Sequence, residues 1–324
     1  MPNIAILNNC NLRCPYCFAD NMIQEESKIM SLETYKKVLQ MCSRSPGERI
    51  GIIGGEPTIH PDFSNILIET SAYCNETGAR AVLFTNGIHL GNFLGELSRD
   101  FFSILINLNS PKYTGEENFK KIQDVLAYTH KKLNWADKIT VGINIHHELD
   151  DYDFLYQTIE DFKLRKVRVS YVAPTYKDYN QNKLAYYMAA KRKFLTVCSE
   201  IYKRGAVVDL DCNYVPFCYF TEKEMETLSR TLNPAVNLSN RCEPVVDITA
   251  DLKVVSCFGT YNPVELSMFD TIPDAKYYLH ATQNLVLARN NDDGKCSQCK
   301  RFETLNCQGG CLAFAVPKLE AALK

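Results

Sequence analysis

Short runs rich in β-branched and apolar residues recur through the first half of the chain, at 3–8, 49–53, 80–84, 102–108, 138–145 and 166–172. Segments with helical spacing lie between them. In 31–44, Leu32, Tyr35, Val38, Leu39 and Cys42 share one face, and Ser31 is placed to cap the helix. The segment 61–77 opens with Pro61 and Asp62 and carries Phe63, Ile66, Leu67 and Thr70 at helical spacing. In 150–164 the same spacing falls on Phe154, Leu155, Ile159 and Phe162. Strand and helix alternating in this way predict an α/β fold with a parallel sheet and helices outside it. Whether the sheet closes into a barrel is not given by periodicity. In either case the active face is at the C-terminal strand ends. Residues 183–205 predict a long helix ending at a glycine cap. The texture changes after it, which predicts a boundary near Gly205 between domains 1–205 and 206–324.

Composition narrows the class. Hydrophobic residues are 46% and charged residues 23%, as in an ordinary globular protein. A formal net charge of −2 without blocks of one sign gives no reason to expect nucleic acid or an anionic membrane as partner. No apolar run approaches bilayer length, and the first residues lack the basic and long apolar regions of a signal peptide. A cytoplasmic protein is expected, and there fourteen cysteines argue for metal or cluster ligation over disulfides. Cys42, Cys74 and Cys198 sit in helical patterns and are expected as packed thiols.

Cys10, Cys14 and Cys17 follow the first apolar run in C-N-L-R-C-P-Y-C. Three thiolates so spaced suit three corners of an iron–sulfur cube, leaving one iron open to a substrate or cofactor. A structural zinc site with a distant fourth ligand is the alternative. The second predicted strand ends in Gly54-Gly55-Glu56-Pro57.

C-x-x-x-C-x-x-C after a first strand, with Tyr16 before its last cysteine and G-G-E-P after the second strand, resembles the radical S-adenosylmethionine (SAM) superfamily. The resemblance implies a partial (β/α)6 TIM-like barrel and a 4Fe–4S cluster whose open iron is chelated by SAM. One electron then cleaves SAM to a 5′-deoxyadenosyl radical that abstracts hydrogen from a substrate. On this view Gly54 and Gly55 let backbone approach the ligand, Glu56 faces the SAM ammonium and Pro57 fixes the turn. Tyr16 leans on the adenine. Asn86, Asn107, Asn109 with Ser110, and Asn144, at later strand ends, offer polar groups to the ribose and the SAM carboxylate. For Asn86 a turn-forming role before Gly87 is the competing reading. No acid or base is singled out among His60, His146 and His147, which fall near strand ends.

A second cysteine set comprises Cys218, Cys242, Cys257, the pair Cys296-x-x-Cys299, Cys307 and, after Gln308-Gly309-Gly310, Cys311. It resembles the SPASM extension of radical SAM enzymes, which implies one or two auxiliary 4Fe–4S clusters. The resemblance would group Cys242, Cys257 and Cys311 with an upstream cysteine, Cys218 in preference to Cys212. Cys296, Cys299 and Cys307 would hold the second cluster, without the last cysteine of the full pattern. Leu252 stands where that pattern has a glycine, so the turn there is expected to have shifted or lost its glycine. Zinc at the C-x-x-C pair is the alternative.

The resemblance implies an oxidoreductase-type reaction on a peptide, as a crosslink or side-chain oxidation. Alternatives are the same chemistry on a small metabolite, or a non-catalytic iron–sulfur or zinc protein. Expected partners are a flavodoxin- or ferredoxin-like one-electron donor and, because the first strand starts at the N-terminus, a separate leader-peptide recognition protein. The tyrosine-containing segment 176–180 is a candidate substrate loop, with a solvated connector as the alternative.

Overall fold

The computed structural model describes residues 1–17, 19, 22–23, 26–146, 149, 151–171, 183–211, 216–235, 245–258, 263–289 and 296–312. His147, Cys212, Cys242 and the 176–180 segment lie outside them. In chain order the elements are β1 (Pro2–Ala5), α1 (Leu32–Met41), β2 (Arg49–Ile53), α2 (Phe63–Thr77), β3 (Arg80–Thr85), β4 (Phe102–Asn107), α3 (Glu116–Lys131), β5 (Ile139–Ile145), α4 (Asp153–Phe162), β6 (Lys166–Tyr171), α5 (Lys183–Lys203), β7 (Val207–Leu210), α6 (Glu222–Thr231), β8 (Val246–Ile248), β9 (Lys253–Val255), β10 (Val264–Glu265) and α7 (Ile272–Arg289). The fold is mixed α/β with mostly parallel strands, as expected.

Sequence and structure agree where local signals are strong. Ser31 caps α1 by accepting from the Thr34 N–H at 3.1 Å. The helix α2 ends at Gly78, whose φ of 73° suits a residue without a Cβ. The first strand is shorter than the expected 3–8. From Ile6 onward the chain turns to residues 28–30, with Met30 donating to the Ile6 carbonyl and Asn8 to that of Lys28.

The chain divides into two compact units, and each is made of two separate stretches. One comprises Met1–Thr140 and Pro244–Ala281, the other Val141–Glu243 and Thr282–Lys324. This grouping differs from the expected division at Gly205. In the first unit the strand order is β10-β9-β8-β1-β2-β3-β4. Strands β8, β1, β2, β3 and β4 run parallel, while β9 and β10 return antiparallel. Ile4, Ile52, Leu83 and Ile104 are in register across four strands, and all are buried. That row gives the sheet an unbroken apolar face. β8 is missing from the periodicity because it is three residues with Asp247 at its centre.

In the second unit β5, β6 and β7 pair in parallel, with Val141 beside Val167 and Val167 beside Val208. β7 follows Gly205, so the strand pattern continues past the expected boundary. The helix α5 ends where Gly205, at φ 81°, donates to the Tyr202 carbonyl.

Candidate active site

The loop carrying Cys10, Cys14 and Cys17 leaves the end of β1 and is closed at its base by Asn8. This buried amide donates to the carbonyls of Met22 and Glu26, at 3.1 and 2.9 Å, and accepts from the Lys28 N–H at 2.6 Å. Sequence reasoning missed it; the only signal was a polar residue ending an apolar run. Cys17 packs against an apolar cluster of Ala5, Ala19, Met22, Val255 and Phe258, so β9 helps seat the loop.

Three strand ends hold this loop. The first tether is the Gly54–Glu56 backbone. Gly55 donates to the Leu7 carbonyl at 3.0 Å and Glu56 to that of Asn9 at 2.9 Å. A Cβ on Gly54 would stand 2.5 Å from the Leu7 oxygen, and one on Gly55 would stand 2.1 Å from the Asn9 oxygen. Both glycines therefore let the chain's own cysteine loop pass close to the end of β2. The second tether is Asn86, after β3, which donates from Nδ2 to Asn11 Oδ1 at 2.7 Å and accepts from the Ile88 N–H. The third is Asn109, after β4, which accepts from the Tyr16 hydroxyl. The Tyr16 ring meets Tyr113 edge-on, with centroids 5.7 Å apart.

Glu56 is buried and its carboxylate is occupied within the chain. Oε1 accepts from the Thr58 N–H, the Thr58 hydroxyl and the Thr85 hydroxyl at 3.1, 2.5 and 2.7 Å. Oε2 accepts from the Asn86 N–H at 2.7 Å. Burial pushes its pKa above the usual carboxylate range, and these donors pull the other way. The glutamate joins β2 to β3 and caps the single turn that begins at buried Pro57.

Of the other expected contacts, Asn107 is half-buried at the end of β4. Asn144 belongs to the second unit and accepts from the Ser170 hydroxyl. Ser110 caps a short turn by accepting from the Lys112 N–H. His60 is committed to structure: Nε2 meets the Met30 carbonyl at 2.9 Å and Nδ1 accepts from the Asp62 N–H at 3.0 Å. An open groove of about 530 Å³ beside α4 and α5, lined by Tyr156, Arg192 and Arg204 among others, shares no residue with the cysteine loop.

Burial raises the Cys10 thiol, against an N–H from Leu12 that lowers it, and the charge of Glu56 raises it further. Burial, with Cys10 nearby, pushes Cys14 up to about 11. Ligation would have to draw both thiols into the thiolate form. Among the described residues no three His, Cys, Asp or Glu side chains form a site for a single metal ion. A tetrahedral ion with sulfur at about 2.3 Å needs its thiolates closer together than the corners of a cube do. Three half-buried thiols on one anchored loop are the donors available to such a group.

In the second cysteine set, the charges of Cys307, Cys296 and Cys299 act on Cys218, which is exposed on a one-turn helix. Cys257 is half-buried just past β9 in the first unit, and Cys311 belongs to the second. Leu252 takes the left-handed conformation, φ 63°, that the glycine of the SPASM pattern would supply, so the turn is kept without it. Cys42, Cys74 and Cys198 are buried.

A cysteine loop after the first strand of a parallel sheet, held by the next three strand ends, defines the class. Residues 4–156 match the family model of the radical SAM superfamily. Proteins of this family use a 4Fe–4S cluster and SAM. GTP 3′,8-cyclase of Clostridium botulinum (strain Okra / Type B1) is 30% identical over 162 residues, 46% of this chain and 50% of that protein. The chain thus spans about half the length of this and other curated relatives it matches. Two solved structures share the fold over nearly the whole chain. Streptococcus suis SuiB bound to precursor peptide SuiA has a TM-score of 0.64 at 16% identity, covering 96% of this chain and 71% of its own. The enzyme anSMEcpe with bound AdoMet and Cp18Cys peptide has a TM-score of 0.65 at 17% identity, covering 95% and 88%. Among the described residues no helix is long and apolar enough to cross a membrane.

Proposed function

We propose that this chain is a radical SAM enzyme of SPASM type that oxidatively modifies a peptide. The observation that carries the reading is the cysteine loop held by β2, β3 and β4, which leaves three thiols for a cluster and its face for SAM. When bound, cluster and SAM supply a 5′-deoxyadenosyl radical by one-electron cleavage. The protein's own part is positional. Gly54 to Glu56 fix the height of the loop, and Asn86 and Tyr16 with Asn109 fix its lateral position. Asn107 is the amide at these strand ends best placed in sequence to serve a ligand. Auxiliary clusters held by the second cysteine set would accept the electron left on an oxidised substrate, and an external flavodoxin- or ferredoxin-like protein would supply the first. The peptide reading is supported by two fold neighbours solved with peptides bound, and a leader-peptide recognition protein would be a separate partner. A small metabolite is the second reading, favoured by the likeness to a GTP cyclase.

The test is anaerobic reconstitution with a chemical reductant. Wild type should form 5′-deoxyadenosine and Cys14→Ala should form none; equal yields from both would sink the enzyme reading. Incubation with peptides and with GTP, followed by mass spectrometry for hydrogen loss, separates the two substrate classes.

A further inference from the structure

We infer that Cys218, Cys296, Cys299 and Cys307 together form one four-thiolate site for a 4Fe–4S cluster in the second compact unit. This departs from the grouping that motif order suggests, in which Cys218 serves with Cys242, Cys257 and Cys311. It concerns cysteines apart from the SAM loop and holds whether or not SAM is cleaved.

The geometry rests on one buried side chain. Tyr187, on α5, is fully buried. Its ring lies against Tyr219, next to Cys218, at 5.3 Å between centroids. Its hydroxyl accepts from the Cys311 N–H at 2.7 Å. A Cβ on Gly310 would stand 2.8 Å from that hydroxyl, so only glycine lets the chain pass this close. The turn Phe217–Tyr219 and the 307–311 segment are thus seated on the same tyrosine.

The other two cysteines are tied to Cys307 by backbone. Cys299 donates to the Cys296 carbonyl at 3.0 Å, forming the knuckle of the C-x-x-C pair. Asn306 and Cys307 both donate to the Arg301 carbonyl, at 2.8 and 3.0 Å, folding the chain back onto the turn after Cys299. The Cys218 thiol lies in the field of all three. Gly309 donates its N–H to Cys307 Sγ at 3.4 Å, as Leu12 does to Cys10 Sγ at 3.4 Å in the SAM loop. An N–H aimed at sulfur stabilises a thiolate. Four cysteine sulfurs and no histidine or carboxylate make up the donor set that a 4Fe–4S cube takes.

The test uses the full chain with Cys10, Cys14 and Cys17 all changed to Ala, reconstituted anaerobically, with iron, sulfide and zinc counted and the reduced protein examined by EPR. Failure to cleave SAM is thereby uncoupled from the outcome. Cys218→Ala and Cys296→Ala should each remove about four irons per chain, and the double variant should remove no more than either alone. Cys212→Ala should remove none. Cys218→Ser, which keeps an oxygen donor in place of sulfur, should retain iron with an altered EPR signal and so guard against mere misfolding. Additive losses in the double variant, unchanged iron in Cys218→Ala, or zinc in place of iron would overturn the assignment.

Discussion

Gly55 and Asn9 pass so close that a single methyl group on the glycine would lie 2.1 Å from the Asn9 carbonyl oxygen and 2.4 Å from its carbon. The obstacle is backbone on both sides, so no side-chain rotation relieves it. Gly55→Ala should therefore lift the cysteine loop off β2. The expected result is a loss of about 3 kcal/mol in denaturant unfolding and a marked fall in iron retained at the SAM loop. Gly95→Ala, where nothing lies within 4 Å, is the control and should change neither.

Glu56→Ala would strip the acceptor from two buried backbone N–H groups, those of Thr58 and Asn86, and from two hydroxyls. Stability should fall by about 3 kcal/mol, and by about 1 kcal/mol in Glu56→Gln, which keeps one acceptor oxygen. Thermal melts without SAM measure this. A ligand-binding role alone would instead leave the melt unchanged and weaken SAM binding.

Asp247 gives the first unit a pH dependence. It is buried beside Asn3, whose Nδ2 donates to it at 2.7 Å, and burial pushes its pKa from 3.8 up to about 7. The fold thus holds this proton more firmly than the unfolded chain does. Its contribution is full below about pH 4, declines as pH rises toward 7, and is constant above. Asp247→Asn, uncharged at every pH, should melt higher than wild type at pH 8 and like it near pH 4. A melting difference independent of pH would refute the assignment.

Leu252 holds a left-handed conformation that costs a leucine about 1 kcal/mol relative to glycine. The turn is kept because Thr249 accepts from the Lys253 N–H through its hydroxyl, at 3.0 Å, and donates its own N–H to the Lys253 carbonyl at 2.8 Å. Leu252→Gly should be neutral to stabilising by about 1 kcal/mol, whereas β-branched Leu252→Ile should destabilise by at least that amount. Chemical denaturation compares the three.

What the sequence made legible follows from how local each signal is. β2 has the expected limits because its apolar run is short and ends in a glycine pair. Ser31 was readable as a cap because capping depends on three residues. The cysteine spacing and G-G-E-P pointed to a candidate cluster loop but gave no sign of what the motif holds within the chain. Gly54 and Gly55 make room for residues 7–9, and Glu56 looks inward to Thr85 and Asn86. Such contacts join positions about thirty to fifty residues apart, which no spacing rule reveals. The same holds for β8, too short to show a period, and for Tyr187, which reads as an ordinary helical aromatic until the chain returns to it at Cys311.

The position of Glu56 beside Cys10 also bears on redox poise. Four hydrogen bonds donated to the Glu56 carboxyl oppose the burial that raises its pKa, and when the group is ionised its charge disfavours a second negative charge on the Cys10 sulfur. Any group held by Cys10 meets the same opposition when it takes up an electron. Ionised Glu56 would therefore lower the reduction potential of such a group, and its protonation would relieve that opposition, so the loop's redox poise is tied to the proton on this one carboxyl.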